Sequence, residues 1–226
     1  MTSKIPPANG KIYVAPSLLS ADLWQLGQDV QRVELAGADW LHVDVMDGHF
    51  VPNLSFGPAL VRSLKKNTSL PLDVHLMVEH PARFIEPFTK AGADLLTVHL
   101  EAQDDVKDVL KQIHALGIKV GVSIKPDTDV RSIIPVLEET DLILVMSVYP
   151  GFGGQEFLPE APERIRQIRQ LITKTNRPVW LEVDGGINAQ TAREVVQAGA
   201  DVLVAGNAIF SAKDPAVALK QIKQAS

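Results

Sequence analysis

The 226-residue chain contains no cysteine. That excludes disulfides and thiolate metal sites, and it suits a reducing compartment. It has no dense block of lysine or arginine, and its net charge is -5 with a pI near 5.7. Both features argue against a nucleic-acid surface. The N-terminal "MTSKIPPANGKIYV" has no apolar run long enough for a signal peptide or a membrane span, so neither is expected there. No linker or low-complexity stretch marks a second domain. What is present, 46% hydrophobic and 22% charged residues, is ordinary for a globular protein with a sizeable core. The opening "MTSKIPPANGK", with two prolines and an Asn-Gly, predicts a loose arm over residues 1–11 followed by one domain over 12–226.

Short apolar, β-rich runs alternate with longer amphipathic ones. Strands are expected at 12–17, 40–46, 72–77, 94–99, 118–123, 141–147, 179–184 and 201–205. The clearest helical patterns are 160–174 and 188–198, the second opening on Asn188 as N-cap and stopping at Gly199. "AGAD" recurs at 36–39, 91–94 and 198–201, each time closing a helix with glycine and opening a strand. The separations of 55 and 107 residues are close to two and four βα units of about 27. The predicted fold class is α/β, a single (β/α)8 TIM barrel, with a doubly wound open sheet as the alternative.

In such a barrel one face of each strand meets the helices and the other meets the interior, and reactive groups gather at the C-terminal strand ends. A period-two reading places His42, Asp44 and Met46 on one face of the second strand. It places Asp73, His75 and Met77 on the third, and Trp180, Glu182 and Asp184 on the seventh. Several buried ionisable groups are costly unless they pair or bind metal. His42, Asp44, His75 and Asp184 are therefore the candidate ligands of one divalent ion, zinc first, with iron, manganese or cobalt as alternatives that this donor set also suits. Besides Met1 the only methionines are Met46, Met77 and Met146, all near strand ends, where they would form an apolar collar. Glycines crowd the last three βα turns, "PGFGGQ" (150–155), "DGGI" (184–187) and "AGNAIF" (205–210), as a cradle for a phosphate needs. Together these parts point to proton abstraction beside a carbonyl of a sugar phosphate, with two carboxylates working on opposite faces of one carbon.

"VAPSLLSAD" (14–22), "LHVDVMDGHFVPNLSFGP" (41–58), "LDVHLMV" (72–78), "VMSVYPGFGGQ" (145–155) and "EVDGGI" (182–187) closely resemble the ribulose-phosphate 3-epimerases, in the same order and spacing. The resemblance implies a ribulose-phosphate-binding type of barrel that interconverts D-ribulose 5-phosphate and D-xylulose 5-phosphate through a metal-stabilised enediolate. It implies His42, Asp44, His75 and Asp184 as metal ligands, with Asp44 accepting the proton and Asp184 donating one in one direction. Ser17 and His75 would contact the sugar. Gly151, Phe152, Gly153, Gly154, Gly185, Gly186, Gly206 and Asn207 would surround the substrate's phosphate end, Asn207 standing where the family mostly has serine. It implies a homo-oligomer, dimer or hexamer, with a small sugar phosphate as the binding partner. The cytoplasm is the expected location, or the plastid stroma if a transit peptide has been removed.

Two rivals share the barrel: a 3-epimerase of a hexulose 6-phosphate, and a non-catalytic phosphosugar-binding protein, which would not require both carboxylates. An orotidine-monophosphate decarboxylase needs a D-x-K-x-x-D run, and "DVMDGH" (44–49) puts Met46 where the lysine belongs. His49 and Asn53 are expected to help cover the site or a subunit contact, and Asp47 to brace its turn. His80 and His114 read as surface or packing residues. His99 and Glu101 end the fourth strand facing the pocket, either supporting the site from behind or serving as hydrogen-bonding core residues.

Overall fold

The computed structural model describes residues 4–225. Eight parallel strands run in the order β1-β8-β7-β6-β5-β4-β3-β2. They are β1 (Tyr13–Pro16), β2 (Leu41–Met46), β3 (Leu72–Met77), β4 (Leu95–His99), β5 (Lys119–Ile124), β6 (Leu142–Met146), β7 (Trp180–Asp184) and β8 (Val202–Ala205). Each falls inside or within one residue of its expected segment. The ring closes between β1 and β2 at a single bridge, Ser17 to His42. The helices are α1 (Leu26–Leu35), α2 (Pro58–Asn67), α3 (Ile85–Ala91), α4 (Val106–Ala115), α5 (Ala161–Thr175), α6 (Ala189–Ala198), α7 (Asn207–Phe210) and α8 (Pro215–Ala225). Between β5 and β6 the crossover is a 3-10 run, Val130–Glu139, carrying Pro135 inside it; proline has no N–H to donate to an α-helical ladder.

Alternation sorts the apolar residues into two cores. Leu41, Val43, Val45, Leu72, Val74 and Leu76 face outward and pack with helical residues such as Val33, Val61 and Phe88. Tyr13, Trp40, Leu95, Leu142, Trp180 and Val202 form an inner plug with Ile5. The expected loose arm is therefore not loose over its described part. Ile5 is only 4% exposed, Trp180 Nε1 donates to the Pro6 carbonyl at 2.9 Å, and the Lys4 N–H reaches Asp94. Proline and Asn-Gly do bend this segment, but its one large aliphatic side chain fills the open N-terminal end of the barrel.

The recurring aspartate explains the repeat. Asp39, Asp94 and Asp201 stand just before β2, β4 and β8, and Asp141 before β6 makes a fourth copy in which "ETD" replaces "GAD". The backbone N–H of each donates to the carbonyl of Val14, Leu72, Leu181 or Val120 respectively on the preceding strand. The carboxylate of each accepts the N–H of that same residue, at 2.8 to 3.0 Å. A cation completes every copy: Lys223 on Asp39, Lys65 on Asp94, Lys119 on Asp141 and Arg169 on Asp201. Four two-strand units are thus stitched by one device at the N-terminal end. Gly92 and Gly199, in left-handed backbone at φ 110° and 113°, end α3 and α6 just before two of these copies. Asn188 caps α6 in a reciprocal box with Thr191, as its position predicts.

Candidate active site

The opposite end of the barrel holds the ionisable residues. Register sets His42 beside Asp73, Asp44 beside His75, and Met46 beside Met77, so β2 and β3 present three matched rungs. His42 Nε2 and His75 Nδ1 each lie 3.3 Å from Asp44 Oδ1. All three atoms are buried and have no hydrogen-bond partner among the described residues. A ligand atom of each of His42, Asp44, His75 and Asp184 lies within 4.8 Å of the others. Unpaired buried polar atoms are rare because each forfeits its hydration. Two imidazole nitrogens and two carboxylates converging on one point are a donor set that fits a divalent cation.

Both histidines are braced from behind. His42 Nδ1 meets Asp73 Oδ2 at 2.5 Å, leaving Nε2 to face the shared point. His75 Nε2 meets His99 Nε2 at 2.9 Å, and His99 Nδ1 meets Glu101 Oε2 at 3.1 Å. Ser17 donates to Asp44 Oδ2 at 2.6 Å, so Oδ1 is the oxygen left for a cation.

The electrostatics separate the two aspartates. Burial would raise Asp44, but the charge on His42 and the close approach of the His42 and His75 rings outweigh it and hold the carboxyl far below its ordinary range. Asp184 has no such partners. Burial and then the charge of Asp44 push it up to about 7. His42 is pulled down by burial yet raised well above its usual value by Asp73 and Asp44. Beneath it Glu182 is raised well above the carboxylate range by burial first and the charge of Asp73 second.

Above these groups lies a cavity of about 350 Å³. Asp44 and Asp184 sit in its lining with Ser17, and Met46, Met77 and Met146 edge it. Gly151 to Gly154, Gly185, Gly186, Gly206 and Asn207 line it as well. His42 and His75 are not in the lining. They are fully buried, and the Nδ1 of His75 faces Asp44. Not every glycine is there for a ligand. A Cβ on Gly185 would stand 2.6 Å from Val148, and one on Gly186 2.7 Å from the backbone of Phe157, both at positive φ. The Asn207 carbonyl oxygen accepts from Ser211 at 2.6 Å, and the amide nitrogen has no protein acceptor among the described residues.

Asp47 braces its turn as expected, accepting the N–H groups of His49, Phe50 and Glu79. Asn53 donates to the Gly151 carbonyl at 2.9 Å, tying the loop after β2 to the glycine loop after β6. Asp73 and Glu182 drew no role from the sequence, although each lies two residues before a candidate ligand on the same face. Ser20, beside the positions of Gly153 and Gly206, was also overlooked, because nothing in "SLLSAD" separates it from Ser17.

A parallel barrel with ionisable side chains gathered at a glycine-rich mouth has the build of a barrel enzyme. The chain belongs to the ribulose-phosphate 3 epimerase family, whose model matches residues 13–210, and by that membership it is an epimerase. It is 49% identical over 214 residues to the chloroplastic ribulose-5-phosphate-3-epimerase of Arabidopsis thaliana, covering 94% of this chain and 76% of that one. It is 46% identical to the ribulose-phosphate 3-epimerase of Bacillus subtilis, covering 94% and 98%. The orotidine 5'-phosphate decarboxylase of Pyrococcus horikoshii superposes with a TM-score of 0.71 at 20% identity, covering 94% and 98%. That likeness shows the shared fold alone. No helix among the described residues is long and apolar enough to cross a membrane.

Proposed function

We propose that this site inverts carbon 3 of D-ribulose 5-phosphate to give D-xylulose 5-phosphate, one aspartate taking a proton from one face and the other returning one to the opposite face. The observation that carries the reading is the convergence of Asp44 and Asp184, one held ionised and one raised to about 7, on a single point at the cavity floor. In the forward direction Asp44 accepts the proton and Asp184 donates; the roles exchange in reverse. Ser17 holds Asp44 through Oδ2 and orients it toward the sugar. The three methionines exclude water from the carbon between the aspartates. Backbone N–H groups of the three glycine loops and the amide of Asn207 grip the phosphate.

His42, Asp44, His75 and Asp184 would hold the divalent ion, zinc being the first choice for this donor set. When bound, it supplies positive charge that steadies the negative charge developing on the substrate oxygens, an effect worth several kcal/mol. The same reading makes the enzyme a homo-oligomer, dimer or hexamer, which light scattering distinguishes. It also places the enzyme in the cytoplasm or the plastid stroma. Metal-replete protein given D-ribulose 5-phosphate in deuterated water is expected to form D-xylulose 5-phosphate with deuterium at carbon 3. No conversion at all would leave a phosphosugar-binding protein as the reading.

A further inference from the structure

The contact from His75 to His99 and on to Glu101 is more than packing, because each proton in it is dictated by the next group. Glu101 is a half-buried carboxylate, its side chain 21% exposed. Its Oε1 accepts the Lys125 N–H at 2.9 Å and the Thr128 hydroxyl. Burial opposes its ionisation, but the hydrogen bonds it accepts from His99, Thr128 and Lys125 outweigh that and keep it ionised. An ionised carboxylate only accepts, so the His99 nitrogen facing Oε2, Nδ1, must carry hydrogen.

His99 is fully buried and packs against the tilted ring of Phe50 at 4.7 Å between centroids, with the Lys125 ammonium 4.0 Å from the centroid of the Phe50 ring. Full burial disfavours the charged imidazolium, so the ring is neutral. With hydrogen on Nδ1, its Nε2 is a bare acceptor. The 2.9 Å contact with His75 Nε2 then requires that nitrogen to donate. A neutral His75 protonated on Nε2 has its Nδ1 bare, and Nδ1 is the atom 3.3 Å from Asp44 Oδ1.

We propose that Glu101 is a positioning residue: acting through His99, it fixes the hydrogen of His75 on Nε2 and keeps the Nδ1 lone pair aimed at the point shared with Asp44 and His42. The inference rests on the metal-site reading above. It assigns the two histidine ligands different supports. His42 is held by one fully buried carboxylate, Asp73, whereas His75 is held by a two-step relay that ends at a partly exposed one.

The relay also has a polarity, and Glu101→Gln reverses it. Glutamine keeps an oxygen for the Lys125 N–H and the Thr128 hydroxyl, so a merely structural role survives the change. It turns an amide N–H toward His99 Nδ1, which must then accept. His99 would donate from Nε2, and the hydrogen of His75 would move to Nδ1, where it blocks the metal.

Zinc titrated against a chromophoric chelator is expected to bind Glu101→Gln about 10- to 100-fold more weakly than wild type, while Glu101→Asp, which restores the carboxylate, recovers part of the loss. Wild-type zinc affinity in a folded Glu101→Gln protein would overturn the relay. The second test needs no variant. Long-range ¹H–¹⁵N spectra of the metal-free wild-type protein are expected to show His75 protonated on Nε2 and His99 on Nδ1, and the opposite pair of tautomers would overturn the proposal. Wild-type protein that takes up no zinc would instead overturn the metal reading, and the tautomers would still decide the relay.

Discussion

The two ends of this barrel use the same side chain in opposite ways. At the N-terminal end Asp39, Asp94, Asp141 and Asp201 each accept a strand N–H and face a lysine or arginine. At the C-terminal end Asp44 leaves one oxygen unpaired, and two imidazole nitrogens around it are unpaired too. A carboxylate whose acceptors are filled by the chain's own donors stabilises the fold. One with an oxygen left unpaired between two unpaired imidazole nitrogens is poised for something the chain does not itself supply. The contrast teaches that in this fold stability and chemistry are separated along the strand axis, at opposite ends of the same eight strands.

The sharpest way to break that comparison is at the mouth. Asp44→Asn and Asp184→Asn are each expected to lower the epimerisation kcat by about 10³-fold or more, with the circular-dichroism spectrum unchanged. Near-normal turnover in either would end the two-base account. Removing the metal with a chelator is expected to abolish turnover and to lower the unfolding free energy by about 3 kcal/mol, relative to protein in metal at ~100 times its Kd. Adding zinc back should restore both, as read by activity and urea unfolding.

At the other end the effects should fall on stability alone. Asp94→Ala removes acceptors from the Leu72 and Lys4 N–H groups and a partner from Lys65. It is expected to reduce unfolding free energy by about 2–3 kcal/mol and to leave kcat unchanged. Asp184→Asn, in contrast, takes a disfavoured charge out of a buried site, and its metal-free form should be as stable as wild type within about 1 kcal/mol. If the two substitutions moved stability equally, the division between the ends would be wrong. The smallest effect is expected from Asn207→Ser, a few-fold change in KM with kcat untouched, measured in steady-state kinetics.

Much of this was legible in the chain. Strict alternation in "LHVDVM" and "LDVHLM" identified the inner face of β2 and β3, because both faces of a barrel strand are buried and only the inner one admits histidine and aspartate. The repeat "AGAD" located three of four stitches. Asp141 escaped because it lacks the glycine that closes the preceding helix, the crossover there being the 3-10 run with Pro135. Local pattern could not reach what depends on register. Thr97 lies opposite His75 on β4, which carries His99, two residues further along the same face, within reach of His75 Nε2. Nor could composition show that Ile5 fills the barrel floor, since prolines and Asn-Gly bend a packed segment and a free one alike.

The most direct test of the central claim, that two carboxylates at the mouth act on opposite faces of one carbon, is to follow Asp184→Asn by NMR with D-ribulose 5-phosphate in deuterated water. With Asp44 alone in place, the account expects deuterium to enter carbon 3 of D-ribulose 5-phosphate while no D-xylulose 5-phosphate forms. Appearance of D-xylulose 5-phosphate at the wild-type rate would contradict it.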